Sequence, residues 1–456
     1  MRFSDYLTET FWAAIDKALP LAYGFGYIFV VVRVLSKNEF GLLGLFELIV
    51  YFILMVDNTL VQTPMAKFVA ETKESVWAIP NGFFLSFTVL TFCGLACIAG
   101  KTLLANLLNA PELRNMLWLV PLLLAAGYIK NLTGQICVAR QWTGRLVVID
   151  AIYFLGSLGL LAIWQAAGTL TSATQVVLAN VYLALAASVI GASLAAPVLW
   201  RAKWQIHRQD LRRFWAFSRY SFGAGLGAYL NGNVDTILIA RFFGPVPVAI
   251  YRAGKVIYRF YNAFSQAAQV VILPLASQLA AAGQKSALRA LFEKSVYFSC
   301  VLLFPLNCLL LLGADWILDQ LYSGQYMEAV PVFRWLLIGA FFLPWGTVGI
   351  NMLIGIGKPK LSFRITWIVV SINFLGCFFL IQAFGINGAA MAIALTTAGG
   401  AALAAHYIKT LTEFTWRGVL QRHADAVNFF KTLWQKKAFT LDERAGGAGG
   451  DEAKKD

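Results

Sequence analysis

Long apolar stretches alternate along the chain with short polar connectors. The stretches lie near residues 11–35, 40–63, 79–105, 115–138, 146–168, 174–200, 215–241, 246–275, 289–313, 331–356, 361–382 and 386–408. A membrane-crossing helix needs roughly 20 apolar residues, so the pattern predicts an all-α integral membrane protein with about 12 transmembrane helices. The connectors alternate in basic charge. Lys67 and Lys73, Arg140 and Arg145, the run Arg201, Lys203, Arg208, Arg212 and Arg213, then Lys285 and Arg289, and Lys358 and Lys360 fall on one side. The connectors around 165–173, 314–330 and 383–387 carry no Lys or Arg. Positive connectors stay inside, which predicts an inner-membrane protein with both termini cytoplasmic. Connectors 36–39 and 106–114 depart from this by one or two basic residues each.

The most basic connector, 201–214, divides the spans into two sets of six. It predicts an N-terminal lobe over 1–200, a C-terminal lobe over 215–408 and a polar cytoplasmic tail over 409–456. The Ala445–Gly450 end of that tail has a disordered composition. A weak internal repeat supports the division. Arg33-Val34-Leu35-Ser36 before Phe40-Gly41-Leu42 resembles Arg241-Phe242-Phe243-Gly244 before Val248-Ala249-Ile250, and at the same offset Glu47 faces Lys255. Parallel six-helix repeats build several transporters, with the substrate path between them.

Composition narrows the chemistry. Of 456 residues, 59% are apolar and 13% charged, with a mean hydropathy of +0.67. Soluble chains are about half apolar and one quarter charged, so a soluble enzyme is excluded. The net charge of +14, from 37 Lys and Arg against 23 Asp and Glu, lies largely in the connectors. It therefore points to anionic membrane lipids, not nucleic acid. The six cysteines all fall in apolar runs and the three histidines are scattered, so no metal site is expected. The first run continues past Val30 without a small-residue cleavage pattern, which reads as a retained helix and not a signal peptide. The glycosylation pattern at Asn131-Leu132-Thr133 lies inside an apolar run, where it carries no function. No large extramembrane loop, GxSxG elbow, Walker A loop or HExxH helix is present, so no enzyme and no resident cofactor are expected.

The eighth run is the most informative. Arg252, Lys255, Arg259, Asn262, Gln266 and Gln269 recur at steps of three and four, on one face of a single helix. A central Arg or Lys costs roughly 2.5–3.5 kcal/mol in a span, so this face predicts a wet, cationic, substrate-binding lumen. The alternative is that Arg252 and Arg259 snorkel or pair with carboxylates inside the bundle. Tyr251, Tyr258 and Tyr261 accompany the stripe and offer rings for sugars or for helix packing. The seventh run adds Arg219, Asn231, Asn233, Asp235 and Arg241, and Arg33 ends the first run. Asp235, Glu47 and Asp57 are the candidates for H⁺ or Na⁺ coupling. Lys130, Asp150 and Arg364 read as interfacial anchors.

Several segments together resemble the polysaccharide-transporter (O-antigen flippase-like) branch of the MOP exporter superfamily. They are Arg33-Val34-Leu35-Ser36-Lys37-Asn38-Glu39-Phe40-Gly41, Asp235-Thr236-Ile237-Leu238-Ile239-Ala240-Arg241-Phe242-Phe243-Gly244 leading to Tyr251, and Ser323-Gly324-Gln325-Tyr326 with Ala329. Ile354-Gly355-Ile356-Gly357-Lys358-Pro359-Lys360 and Phe384-Gly385-Ile386-Asn387-Gly388-Ala389-Ala390 complete the set. The resemblance implies a two-lobed, MATE-like bundle. It implies alternating access that moves undecaprenyl-pyrophosphate-linked saccharides to the outer leaflet, alongside other polysaccharide assembly proteins. A membrane potential favours outward movement of each negative charge by roughly 2.3 kcal/mol per 100 mV, so the potential or an ion can drive the step. The competing readings are a MATE-type drug exporter, a lipid II flippase and a non-transporting scaffold of a synthesis complex. A cationic drug would call for a lumen dominated by Asp and Glu.

Overall fold

The apolar runs fold as helices whose ends fall close to those of the runs. A computed structural model describes residues 3–71, 77–200, 208–256 and 258–423; Lys73, the 201–207 part of the basic connector and the end of the tail lie outside the described residues. In the N-terminal half the helices are α1 (Phe3–Tyr27), α2 (Lys37–Asp57), α3 (Thr63–Glu71), α4 (Ala78–Ala99), α5 (Lys101–Leu107), α6 (Leu113–Met116), α7 (Leu119–Ala139), α8 (Thr143–Ala166) and α9 (Ala173–Leu199). Then come α10 (Arg208–Phe243), α11 (Pro245–Lys255), α12 (Tyr258–Ala281), α13 (Lys285–Leu312), α14 (Ala314–Tyr322), α15 (Val330–Ala340), α16 (Leu343–Gly355), α17 (Pro359–Phe384), α18 (Ile386–Thr412) and α19 (Trp416–Gln421). Among the described residues there is no strand.

Nine helical segments among the described residues are long and apolar enough to cross a membrane, and a tenth forms if the bent pair α15–α16 is one span. The chain is thus an all-α, multi-pass membrane protein. The runs that fall short are α10 and α11–α12, which carry the polar and charged residues singled out in the sequence.

Local signals set the helix ends. Ser36 caps α2 by accepting the Glu39 amide at 3.2 Å. At α9, Ser172 and Gln175 form a reciprocal capping box. Gly244 takes φ +79° between α10 and α11, a conformation open to glycine, and Pro245 opens the next helix. Two π-helical turns, Ile28–Val32 and Asn58–Gln62, extend α1 and α2; such bulges gather at functional positions.

The single eighth helix expected over 246–275 is instead two. Val256 forms a turn between α11 and α12, and Ile257 lies outside the described residues. The Tyr322 hydroxyl donates to the Ala253 carbonyl at 3.0 Å, satisfying an acceptor that a continuing helix would pair with residue 257.

The chain forms two compact units. The first holds residues 1–259, 313–336 and 367–393; the second holds 260–312, 337–366 and 394–456. In the first, α7 packs on α8 and α9, α1 on α8, and α2 on α10 and α11. Glycines set the α2–α11 approach. A Cβ at Gly41 would lie 2.0 Å from the Pro245 carbonyl oxygen, and one at Gly44 would lie 2.1 Å from Arg252 Nη1. In the second, α13 packs on α16 and α19. Glu293, 1% exposed at its side chain, accepts from Arg289 at 2.8 Å and Arg422 at 2.7 Å, holding α19 in place.

Candidate functional site

The polar side chains of α2, α10 and α11 meet in the first unit. Because Gly41 and Gly44 let α11 lie close to α2, Arg252 reaches Glu47: Nη2 donates to Oε2 at 2.5 Å. The guanidinium also lies 5.3 Å from the centre of the Phe40 ring. Its Nη1 is buried and has no hydrogen-bond partner among the described residues. An unsatisfied buried donor of this kind is uncommon and calls for an explanation.

Three residues further along α11, Lys255 reaches Asp235 of α10. Nζ donates to Oδ2 at 2.5 Å and to the Gly232 carbonyl at 2.9 Å. Asp235 is fully buried. Its Oδ2 also accepts the Tyr251 hydroxyl at 2.5 Å, and Oδ1 accepts the Thr236 amide at 2.7 Å. The two cations at the head of the predicted stripe are therefore each matched to a carboxylate, which is how a bundle tolerates such groups.

The remaining sequence candidates are spread more widely. Tyr251 is fully enclosed, so its ring is occupied in holding Asp235 and is not open to a sugar. Tyr261 donates to Asn307 inside the second unit. Gln269 is exposed on α12, while the side chains of Tyr258, Arg259, Asn262 and Gln266 lie outside the described residues. Arg33 donates to the carbonyls of Leu321, at 2.9 Å, and Gln320. It therefore caps the C-terminal end of α14. Lys37 beside it pairs with Glu328 at 2.7 Å. On α10, Arg219 lies against Tyr220 with Nη2 3.0 Å from the hydroxyl, Asn233 donates to the Tyr229 carbonyl at 2.9 Å, and Asn231 and Arg241 are exposed. Asp57 is fully buried at the start of the second π-helical turn and accepts Gln62 Nε2 at 2.6 Å. It has no cationic partner among the described residues.

Residues 30–331, about two thirds of the chain, match the model of a family described as polysaccharide biosynthesis protein. The chain belongs to this family. The polysaccharide biosynthesis match takes in every sequence candidate from Arg33 to Gln269. Similar proteins include the probable low-salt glycan biosynthesis flippase Agl15 of Haloferax volcanii, 27% identical over 46% of this chain and 44% of that protein. The succinoglycan biosynthesis transport protein ExoT of Rhizobium meliloti is 23% identical over 77% of this chain and 69% of that one. Matches to archaeal relatives span only 36% to 44% of their own length. Among solved structures, lipid II flippase MurJ in an inward closed conformation aligns with a TM-score of 0.72, 11% identity and coverage of 94% of this chain and 93% of that one. An inward-facing multidrug resistance MATE family transporter of the MOP superfamily aligns at 0.75, with 12% identity and coverage of 87% and 97%. At these identities the likeness is one of fold: the chain shares the fold of both.

The structure of this family member also brings Lys130 and Glu47 together with Tyr23, Asn131, Tyr153 and Asn180, which the sequence did not single out. Lys130 and Asp150, expected as interfacial anchors, form an ion pair at 3.1 Å with side chains 14% and 20% exposed. The same Lys130 lines a cavity of about 250 Å³ with Tyr23, Glu47, Asn131, Tyr153 and Asn180. The sequence signal was there in Lys130-Asn131 and Asn180, polar residues in the middle of apolar runs.

Proposed function

We propose that the chain is a flippase that carries undecaprenyl-pyrophosphate-linked saccharide units from the cytoplasmic to the outer leaflet for surface polysaccharide synthesis. The observation that carries this reading is the Arg252 guanidinium: Nη2 is fixed by Glu47, while Nη1 is buried without a partner. A phosphate oxygen would complete its fork, because guanidinium and phosphate match in geometry and charge. Lys255 stands one turn away for a second phosphate oxygen, and Arg259 lies four residues further on. The likeness to the glycan biosynthesis flippase Agl15 and the succinoglycan transport protein ExoT supports a glycan substrate.

The two carboxylates give the site a means of release. While Glu47 and Asp235 are charged, they hold Arg252 and Lys255; a proton or Na⁺ that neutralises either one would shift the balance towards the anionic headgroup, and Asp57 is a third candidate for the coupling ion. We assign alternating access between two six-helix lobes, 1–200 and 215–408, in an inner membrane with both termini cytoplasmic. Other polysaccharide assembly proteins would supply and take up the substrate. The rival drug-exporter reading needs a free carboxylate facing the cationic stripe, and both Glu47 and Asp235 there are occupied by cations; Asp57, which has no cationic partner among the described residues, is held by Gln62 instead.

The test is to delete the gene, measure undecaprenyl-linked oligosaccharides by mass spectrometry, and complement with wild type, Lys255→Glu or Arg259→Glu. A completed lipid-linked unit should accumulate on deletion and be cleared by wild type but not by correctly inserted charge reversals. No accumulation, with raised sensitivity to cationic drugs instead, would overturn the reading in favour of a drug exporter.

A further inference from the structure

Inside the first unit, α1, α2, α7, α8 and α9 surround the cavity of about 250 Å³. That is just under the usual range for a small-molecule site, about 300–1,000 Å³, and is of a size for one ring, not a chain of them. Its charged groups are already matched. Glu47 is bound by Arg252 at 2.5 Å, and Lys130 is bound by Asp150 at 3.1 Å with its ammonium 4.5 Å from the centre of the Tyr153 ring. With neither a free cation nor a free carboxylate among its described charges, the cavity suits neither a phosphate nor a cationic drug.

What remains is neutral and directional. Tyr23, Tyr153 and Phe154 form an aromatic wall, with ring centres 5.4 Å apart for Tyr23–Phe154 and 5.1 Å for Tyr153–Phe154. The Asn131 amide has no partner among the described residues. Among the described residues Asn180 meets only the Tyr23 hydroxyl, accepted at its Oδ1 at 3.5 Å, so its own donors are unspent there. Two free carboxamides beside aromatic faces are the chemistry that recognises a polyhydroxylated ring. The hydroxyls exchange donors and acceptors with the amides, and the C–H face lies on the rings.

We propose that this cavity seats one neutral sugar ring of the transported saccharide, an assignment of substrate class that rests on the flippase reading. Glu47 lines the cavity and pairs with Arg252, so a ring held there adjoins the pair proposed to meet the pyrophosphate.

The full chain, purified in lipid nanodiscs, would be titrated with the methyl glycosides of glucose, galactose, mannose and N-acetylglucosamine, and binding followed by saturation-transfer NMR. At least one glycoside should bind saturably. Asn131→Ala or Asn180→Ala should weaken it about tenfold, and Gly127→Leu, which fills the cavity, should abolish it. Gly159→Ala, on α8 outside the cavity lining, adds a Cβ with nothing within 4 Å and should leave binding intact. Absence of binding to wild type, or equal binding to Gly127→Leu, would overturn the assignment. The lipid accumulation assay separates the two readings. If wild type clears the lipid-linked unit but binds no glycoside, the cavity assignment fails and the flippase stands. If glycosides bind as described but no such lipid accumulates, the sugar site stands and the flippase fails.

Discussion

Replacing Gly44 by alanine tests how Arg252 is held. The new Cβ would lie 2.1 Å from Arg252 Nη1, 2.7 Å from its Cδ and 3.0 Å from its Cζ. No carbon approaches an atom that closely, so the guanidinium must move by more than 1 Å. It cannot do so and keep the 2.5 Å bond to Glu47. A hydrogen bond between charged partners contributes about 1.5–3 kcal/mol, so Gly44→Ala should cost about 2 kcal/mol. With roughly 2.1 cal/mol/K of unfolding entropy per residue over the about 300 residues of the first unit, this corresponds to a fall in Tm of about 3 °C. Tryptophan fluorescence of the purified protein would follow the melt, with Gly159→Ala as the control: nothing lies within 4 Å of its Cβ, so its Tm should hold or rise. In the Arg252→Ala background Gly44→Ala should cost almost nothing, since the atoms it displaces are gone. An unchanged Tm for Gly44→Ala alone, or a penalty that persists without Arg252, would refute the reasoning.

Other outcomes follow from the same contacts. Lys255→Met leaves Asp235 buried without its cation and should destabilise the protein by about 3 kcal/mol, whereas Lys255→Met with Asp235→Asn should recover part of the loss in the same melt. Glu293→Gln weakens the hold on both Arg289 and Arg422, so hydrogen exchange across residues 416–421 should quicken while that of α9 stays unchanged. Arg33→Ala uncaps the carbonyls of Gln320 and Leu321 and should raise exchange at the end of α14, with a smaller effect for Lys37→Ala because the Lys37–Glu328 pair is exposed.

The spans were legible because hydropathy is local: the ends of α7, α8 and α9 lie within about four residues of the runs that predicted them. The break between α11 and α12 was not, because it depends on Tyr322 reaching Ala253 from 69 positions away. Of the stripe expected along one helix over 252–269, only Arg252 and Lys255 lie on α11, and spacing along one helix says nothing about partners on another. Glu47 and Arg252 are 205 positions apart and meet only because Gly41 and Gly44 let two helices touch. The cavity was hidden for the same reason. Tyr23, Asn131, Tyr153 and Asn180 come from four helices, and each alone looks like a tolerated polar residue in an apolar run.

The most direct measurement is transbilayer movement itself. The protein would be reconstituted into liposomes with an undecaprenyl-pyrophosphate-linked saccharide bearing a fluorophore, and the fraction reaching the opposite leaflet followed by quenching with an impermeant reductant. Wild type should move the lipid rapidly, Arg252→Ala and Lys255→Ala should lose the movement, and a matched lipid lacking the pyrophosphate should not move. Movement that is unaffected by both substitutions, or absent with wild type, would contradict the proposed function.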